Sequence, residues 1–272
     1  MAFTQWILIK IPTPVLCMIF VGGSALLTTA TLLLVRRLVP HHRLKQHNDV
    51  TGAVFCTVGV LYAVLLAFVV VIVWEDFDKA GTNVEKEASC LVDLYRDSVA
   101  LSPDFRKELC GLLKDYTEGV INDEWKAMAR GEHSLNVTET LNKLWISYSS
   151  YVPKGATEQV FFEESVRKLN ELGEARRTRL MDANTGVHPI LWMVLLAGGL
   201  VTMTFISFFG AESLRTQLIM AILLASLVGL ILFTIAAMDY PFSGDVAINT
   251  HAFKLMLACI SCLLYTSDAA DE

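Results

Sequence analysis

The chain has 272 residues, 54% of them hydrophobic and 18% charged, with a formal net charge of −6. That charge sits in one stretch: Glu75 to Asp182 holds 21 Asp+Glu against 15 Lys+Arg, and the remainder balances at 7 of each. The acidic polar part argues against a nucleic-acid partner, whose phosphates call for a basic surface, and the apolar share argues against an ordinary soluble domain.

The first uncharged apolar run covers residues 15–35. Pro12 and Pro14 stand at its start and Arg36-Arg37 at its end. It is too long for the apolar region of a removable signal peptide and is predicted to remain as a spanning helix. The linker 36–50 carries Arg36, Arg37, Arg43 and Lys45, with His41, His42 and His47. Asp49 is its only carboxylate, so the histidines read as a basic interfacial loop rather than a metal site. The positive-inside rule places this linker in the cytoplasm, and so the following polar segment in a bacterial periplasm. Arg176, Arg177 and Arg179, which approach the third run, lean the other way.

The second run, 51–74, carries Gly59, Ala63 and Ala67 at four-residue steps. Two readings stay open: close packing against another helix of the same chain, or the lining of a pore between subunits. Nothing in the apolar runs is ionisable, which excludes a proton relay. A permeation path would use small residues and aromatic constrictions such as Phe55, Tyr62 or Phe68. Where the run ends, Trp74 suits the membrane interface. Glu75 beside it reads either as part of a cation-attracting ring or as a solvated residue.

The insert 75–187 reads as helices throughout. Ala80, Val84, Ala88, Leu91 and Tyr95 continue the second run at helical spacing. Ser102-Pro103-Asp104 signals a new helix start, followed by the stripe Phe105, Leu109, Leu112, Leu113, Tyr116, Val120 and Trp125. A third helix is predicted after Asn136, with Leu141, Leu144 and Tyr148 on one face, and a fourth capped by Thr157 and carrying Leu169, Leu172 and Leu180. Four such amphipathic helices should pack as an acidic bundle. The acid pairs Asp123-Glu124 and Glu163-Glu164 read as solvated faces. Asn136-Val137-Thr138 fits a glycosylation sequon by chance. Long helices are expected to run unbroken from the second run into the bundle and from the bundle towards the third run.

The second hairpin, 188–257, holds runs 190–209 and 217–238. The fourth run repeats the small-residue step with Ala221, Ala225 and Gly229. After it, Asp239, Pro241, Phe242 and Gly244 form a turn that reads either as an ion mouth or as a plain helix stop. Residues 258–272, ending Leu264-Tyr265-Thr266-Ser267-Asp268, resemble a translated sequencing-adapter tail and are expected to be non-native. That removes weight from Cys259-x-x-Cys262. The six cysteines form no disulfide framework. No protease, hydrolase, P-loop or dinucleotide motif is present. The expectation is therefore no enzyme, no catalytic residue, no metal and no cofactor.

The stretch Gly59 to Phe68, with Val73-Trp74-Glu75, Ala80 and Glu87-Ala88, resembles the bacterial bestrophin-like membrane family of unknown function. Arg177 and Arg179, Pro189, Trp192 and Asp239-x-Pro241-Phe242-x-Gly244 add to the resemblance, which covers residues 5 to about 257. Through true bestrophins, which are pentameric anion channels, it implies an oligomeric ion channel or pore. It also implies a cytoplasmic bundle, against the basic linker. No bestrophin calcium clasp can be placed, since only Asp239 and Asp245 lie beside the fourth run. The expectation is an all-α membrane protein of the bacterial inner membrane. It has two transmembrane hairpins (1–74 and 188–257) around an acidic bundle, with the lipid bilayer, further copies of itself and an inorganic ion as partners. A membrane-anchored sensor or scaffold, binding a partner through the bundle, is the alternative.

Overall fold

A computed structural model describes residues 3–39, 45 and 47–268. His41, His42 and Arg43 lie outside the described residues, as does any statement about the Cys262 side chain. Every regular element among the described residues is helical. The α-helices of eight or more residues are α1 (Phe3–Lys10), α2 (Thr13–Leu38), α3 (Asn48–Asp97), α4 (Pro103–Gly119), α5 (Leu135–Ser150), α6 (Ala156–Asp182), α7 (Pro189–Phe205), α8 (Leu214–Met238) and α9 (His251–Asp268). Among the described residues four helices are long and apolar enough to cross a membrane: α2, α3, α7 with its 3-10 extension to Phe208, and α8. The protein is an all-α membrane protein with a helical bundle beyond the membrane.

The governing element is α3, 50 residues without a break. At 1.5 Å per residue it is about 75 Å long, against a hydrocarbon core of about 30 Å. More than half of it therefore stands outside the membrane. No proline interrupts it, and its character changes after Trp74. Beyond that point Ala80, Val84, Ala88, Leu91 and Leu94 are buried at 3- and 4-residue steps, the seam of an amphipathic helix. The helix α6 runs back along this seam. Asn83 Nδ2 donates to Asp182 Oδ2 at 2.7 Å near one end, and Lys168 pairs with Asp93 at 2.9 Å near the other. Leu109, Leu113, Leu144, Leu169 and Leu172 of α4, α5 and α6 close the bundle core around α3.

Local chemistry sets the helix starts. Ser134 accepts from Val137 N and caps α5, and Ser213 accepts from Thr216 N and caps α8, each satisfying a free N–H of the first turn. Two expected starts differ. The helix α5 begins at Leu135, before Asn136, because Ser134 supplies the cap. The start of α6 lies at Gly155 and Ala156, so Thr157 falls inside the first turn. The long helix that heads from the bundle towards the third apolar stretch, α6, stops at Asp182, and α7 begins at Pro189. Pro189 lacks the N–H that would continue a helix and suits a first turn instead.

In the membrane part, α8 lies along α2. A Cβ at Gly229 would stand 2.8 Å from the Phe20 carbonyl oxygen and 3.0 Å from Val21 Cα. The Ala221–Ala225–Gly229 stripe thus serves close packing within the chain. Of the aromatic constrictions expected on α3, two face inward. Tyr62 donates to Leu195 O at 2.9 Å and lies where a Cβ at Gly198 would be, 2.7 Å away, while Phe55 packs edge-on against Phe209. The two hairpin loops are tied together at the opposite membrane face. Asn48 exchanges hydrogen bonds with Gly210 at 2.8 and 3.1 Å, Arg36 donates to Ala211 O, and Lys45 meets Glu212.

Candidate functional site

Three places bring the predicted residues together or apart. The first is a buried charge cluster inside the bundle. Arg179 of α6 is fully buried. Its Nε donates to Glu87 Oε2 at 2.6 Å and its Nη2 to Glu87 Oε1 at 2.9 Å. The same Nη2 donates to Glu124 Oε2 at 2.7 Å. Arg176, one turn earlier, donates to the other Glu124 oxygen at 2.5 Å and to Thr138 Oγ1 at 2.9 Å. The Tyr116 hydroxyl donates to Glu87 at 2.7 Å. The Arg179 guanidinium also stands 5.5 Å from the Trp125 ring centroid and 5.8 Å from that of Phe253, where it is attracted to the aromatic faces.

Two carboxylates and two guanidiniums cancel, and their polar atoms pair with one another. That is the condition under which charge survives burial. Burial by itself would raise the Glu124 pKa. The hydrogen bond from Arg176 and the charges of Arg179 and Arg176 outweigh it and hold Glu124 below the usual carboxylate range. Burial, reinforced by the Glu87 charge, keeps the Tyr116 hydroxyl protonated well above its usual range.

The cluster corrects two expectations. Glu124 is not on a solvated face. It ends a π-helical turn, Val120–Glu124, that continues α4, and it is wholly buried. Arg176 and Arg179 leave the membrane boundary, where they were read as pointing towards the third run, and turn into the bundle, Arg179 onto Glu87 of α3. Arg177, between them, is exposed.

The second place is the membrane exit of α8. Asp239 accepts from Val187 N at 2.5 Å and from Trp192 Nε1 at 3.2 Å. Asp245 accepts from Thr13 N at 2.8 Å. Both carboxylates therefore hold chain segments together: one fixes the start of α7, the other the start of α2. Gly244 has φ +86, a left-handed conformation that glycine adopts without strain. Pro241 O accepts from Ile248 N at 2.8 Å. Phe242 is buried in the bundle core, edge-on to Trp125. Ser243 Oγ donates to Ala129 O at 3.0 Å, and Trp125 Nε1 to Ile248 O at 3.1 Å. The turn thus clamps the end of α8 to the segment that carries Glu124. Residues after it do not stay with the second hairpin, for Phe253 and Met256 of α9 join the bundle core.

The third place is the outer face of α3. Tyr62, Leu66, Val69 and Val73 are buried against α7 and α8. On the opposite side Ala63, Ala67 and Phe68 are exposed, followed by Trp74 and Glu75, with Gly59 half-buried. Ala63, Ala67, Val71 and Glu75 stand at four-residue steps on one line of the helix. A Cβ added at Gly59 would meet nothing within 4 Å. Among the described residues no group of three or more His, Cys, Asp or Glu side chains is placed to hold a metal ion.

Comparison with known proteins agrees with this architecture. A family model described as Bestrophin-like domain matches residues 22–253. No curated protein matches the chain. Solved structures of a bacterial bestrophin homologue from Klebsiella pneumoniae share the fold. One point variant of it aligns over 90% of this chain and 98% of its own at 13% identity, with a TM-score of 0.63. A second variant covers 89% and 97% at 12% identity and TM-score 0.65. A further structure of the homologue covers 88% and 95% at 13% identity and TM-score 0.61.

Proposed function

The chain belongs to the bestrophin-like family, and from that membership we propose that several copies of it assemble into a passive pore for an inorganic ion. The wall of the pore is the outer face of α3. One observation carries this reading: the small residues Ala63 and Ala67 are exposed on the longest helix, while the similar stripe on α8 is used up by α2. Two alanines four residues apart offer lipid little side chain to pack against at that point of the face. They do let helices approach closely or line a narrow path. The first acid beyond it on the same line, Glu75, would repeat in every copy as a charged ring at the mouth.

We infer that the bundle stands on the outer side of the inner membrane. Arg36, Arg37, Lys45 and Arg215 mark the opposite face, as the positive-inside rule expects of the cytoplasm. Of the three arginines that leaned the other way, Arg176 and Arg179 lose that weight, because they are neutralised inside the bundle.

Reconstitution of the full chain into planar bilayers tests the pore. Single-channel currents are expected, and Gly59→Phe or Ala63→Phe should reduce them. Absent currents, or currents unchanged by both substitutions, would refute the reading. So would a strictly monomeric mass in mild detergent.

A further inference from the structure

We propose that a recess beside α3, at the level where that helix leaves the membrane, binds a phospholipid with an amine headgroup. The recess has a volume of about 300 Å³ and lies between α3, the start of α7 and the end of α8. Its walls change character along the membrane normal. Val69, Ile72 and Leu191 line the part that faces the bilayer core, whereas Asp76, Lys79 and Asp182 line the part beyond Trp74. An apolar floor under a charged rim suits an amphiphile standing with its headgroup at the aqueous boundary.

The rim also selects the headgroup. Asp239 gives both oxygens to the chain, and Asp182 accepts from Asn83. Asp76 and Lys79 are exposed, and neither makes an ion pair among the described residues. They stand three residues apart on one helix face, so their Cβ atoms are roughly 5–6 Å apart. An ammonium and a phosphate joined by a two-carbon link offer the complementary pair: the ammonium to Asp76, the phosphate to Lys79. A headgroup with phosphate and no amine would satisfy Lys79 and set its negative charge beside Asp76 and Asp182.

Native mass spectrometry of the full chain in mild detergent tests this. The probes are phosphatidylethanolamine and phosphatidylglycerol with identical acyl chains, and soluble O-phosphoethanolamine. One phosphatidylethanolamine per chain should survive detergent that strips phosphatidylglycerol. Its retention should fall at least tenfold in D76K and in K79E. Both positions are exposed, so these variants should fold. Ile72→Trp, which fills the apolar floor without changing charge, should also lower retention. Equal retention of the two lipids, or an unchanged preference in the charge reversals, overturns the proposal. Competition by soluble O-phosphoethanolamine as effective as that by the lipid would assign the site to the headgroup alone and overturn the lipid assignment. Protection of a K79C thiol from maleimide in lipid-free detergent would show that a second copy fills the recess, with the same consequence.

Discussion

Replacing Arg179 by methionine removes the guanidinium that joins Glu87 to Glu124. Three charge-assisted hydrogen bonds of 2.6, 2.9 and 2.7 Å disappear together. Glu87 then keeps only Tyr116 as a donor, and Glu124 keeps Arg176 and the Ser134 backbone N–H. Removing one partner of a buried ion pair costs about 3–5 kcal/mol, because the other charge stays buried without its counterion. For a chain of this size each kcal/mol moves the melting temperature by roughly 2–4 °C, so a fall of about 6–20 °C is expected. Tryptophan fluorescence during heating in detergent can follow it, since Trp125 lies 5.5 Å from the lost guanidinium. Arg177→Met is the control. That residue is exposed, and its loss should stay within about 0.5 kcal/mol. The double variant Glu87→Gln, Arg179→Met should recover part of the loss, because no uncompensated charge remains at position 87. Equal, small shifts for Arg179→Met and Arg177→Met would refute the account of the cluster as a buried, mutually dependent unit.

Acid should act on the same place. The folded Glu124 pKa lies below its unfolded value. Its contribution is therefore complete above the unfolded value of about 4.3 and lost as pH falls through the folded one. Melting temperature should change little from pH 7 to about 5 through this group and fall below about 4, and the Glu124→Gln variant should show a shallower acid limb. In the membrane part, Gly229→Val should push α8 from α2 and cost about 1–3 kcal/mol, since its Cβ would meet the Phe20 carbonyl oxygen at 2.8 Å. Gly59→Ala, with open space around it, should leave thermal stability within about 0.5 kcal/mol. A cysteine introduced at the exposed Glu139 should react with an impermeant maleimide in intact cells, and one at Lys45 should not. The reverse pattern would place the bundle in the cytoplasm.

The four spans were legible because a spanning helix needs only an uncharged run of sufficient length, and that is a local property. The length of α3 was legible for a similar reason: the apolar seam at Ala80, Val84, Ala88 and Leu91 keeps phase with the run before it, and no proline intervenes. The buried cluster was half visible. Glu87 and Arg179 carried the family resemblance, whereas Arg176 was read as a charge near the membrane, Tyr116 as a core position and Glu124 as solvated. A signal existed. Arg176 and Arg179 extend the Leu169 and Leu172 seam of α6 at core spacing, and Glu124 lies four residues beyond Val120 on the α4 stripe. Charges of opposite sign on the seams of two helices can satisfy each other inside a bundle. Asp123 concealed this by making Glu124 look like part of a polar pair, and Trp125 by standing as the apolar end of the stripe.

Sequence alone determined that this chain lives in a bilayer, how many times it can cross, and that the insert is helical and acidic. Those properties follow from hydropathy and periodicity, which sum over near neighbours. Only the tertiary structure decided what faces what. It set the small stripe of α8 against α2 and left that of α3 outward. It turned Tyr62 onto Gly198, bound Asp239 to the start of α7, and drew α9 into the bundle. Each of these depends on residues far apart in the chain meeting at contact distance, where one Cβ or one uncompensated charge decides the arrangement. Periodicity reports which face of a helix is apolar. It does not report which partner covers that face.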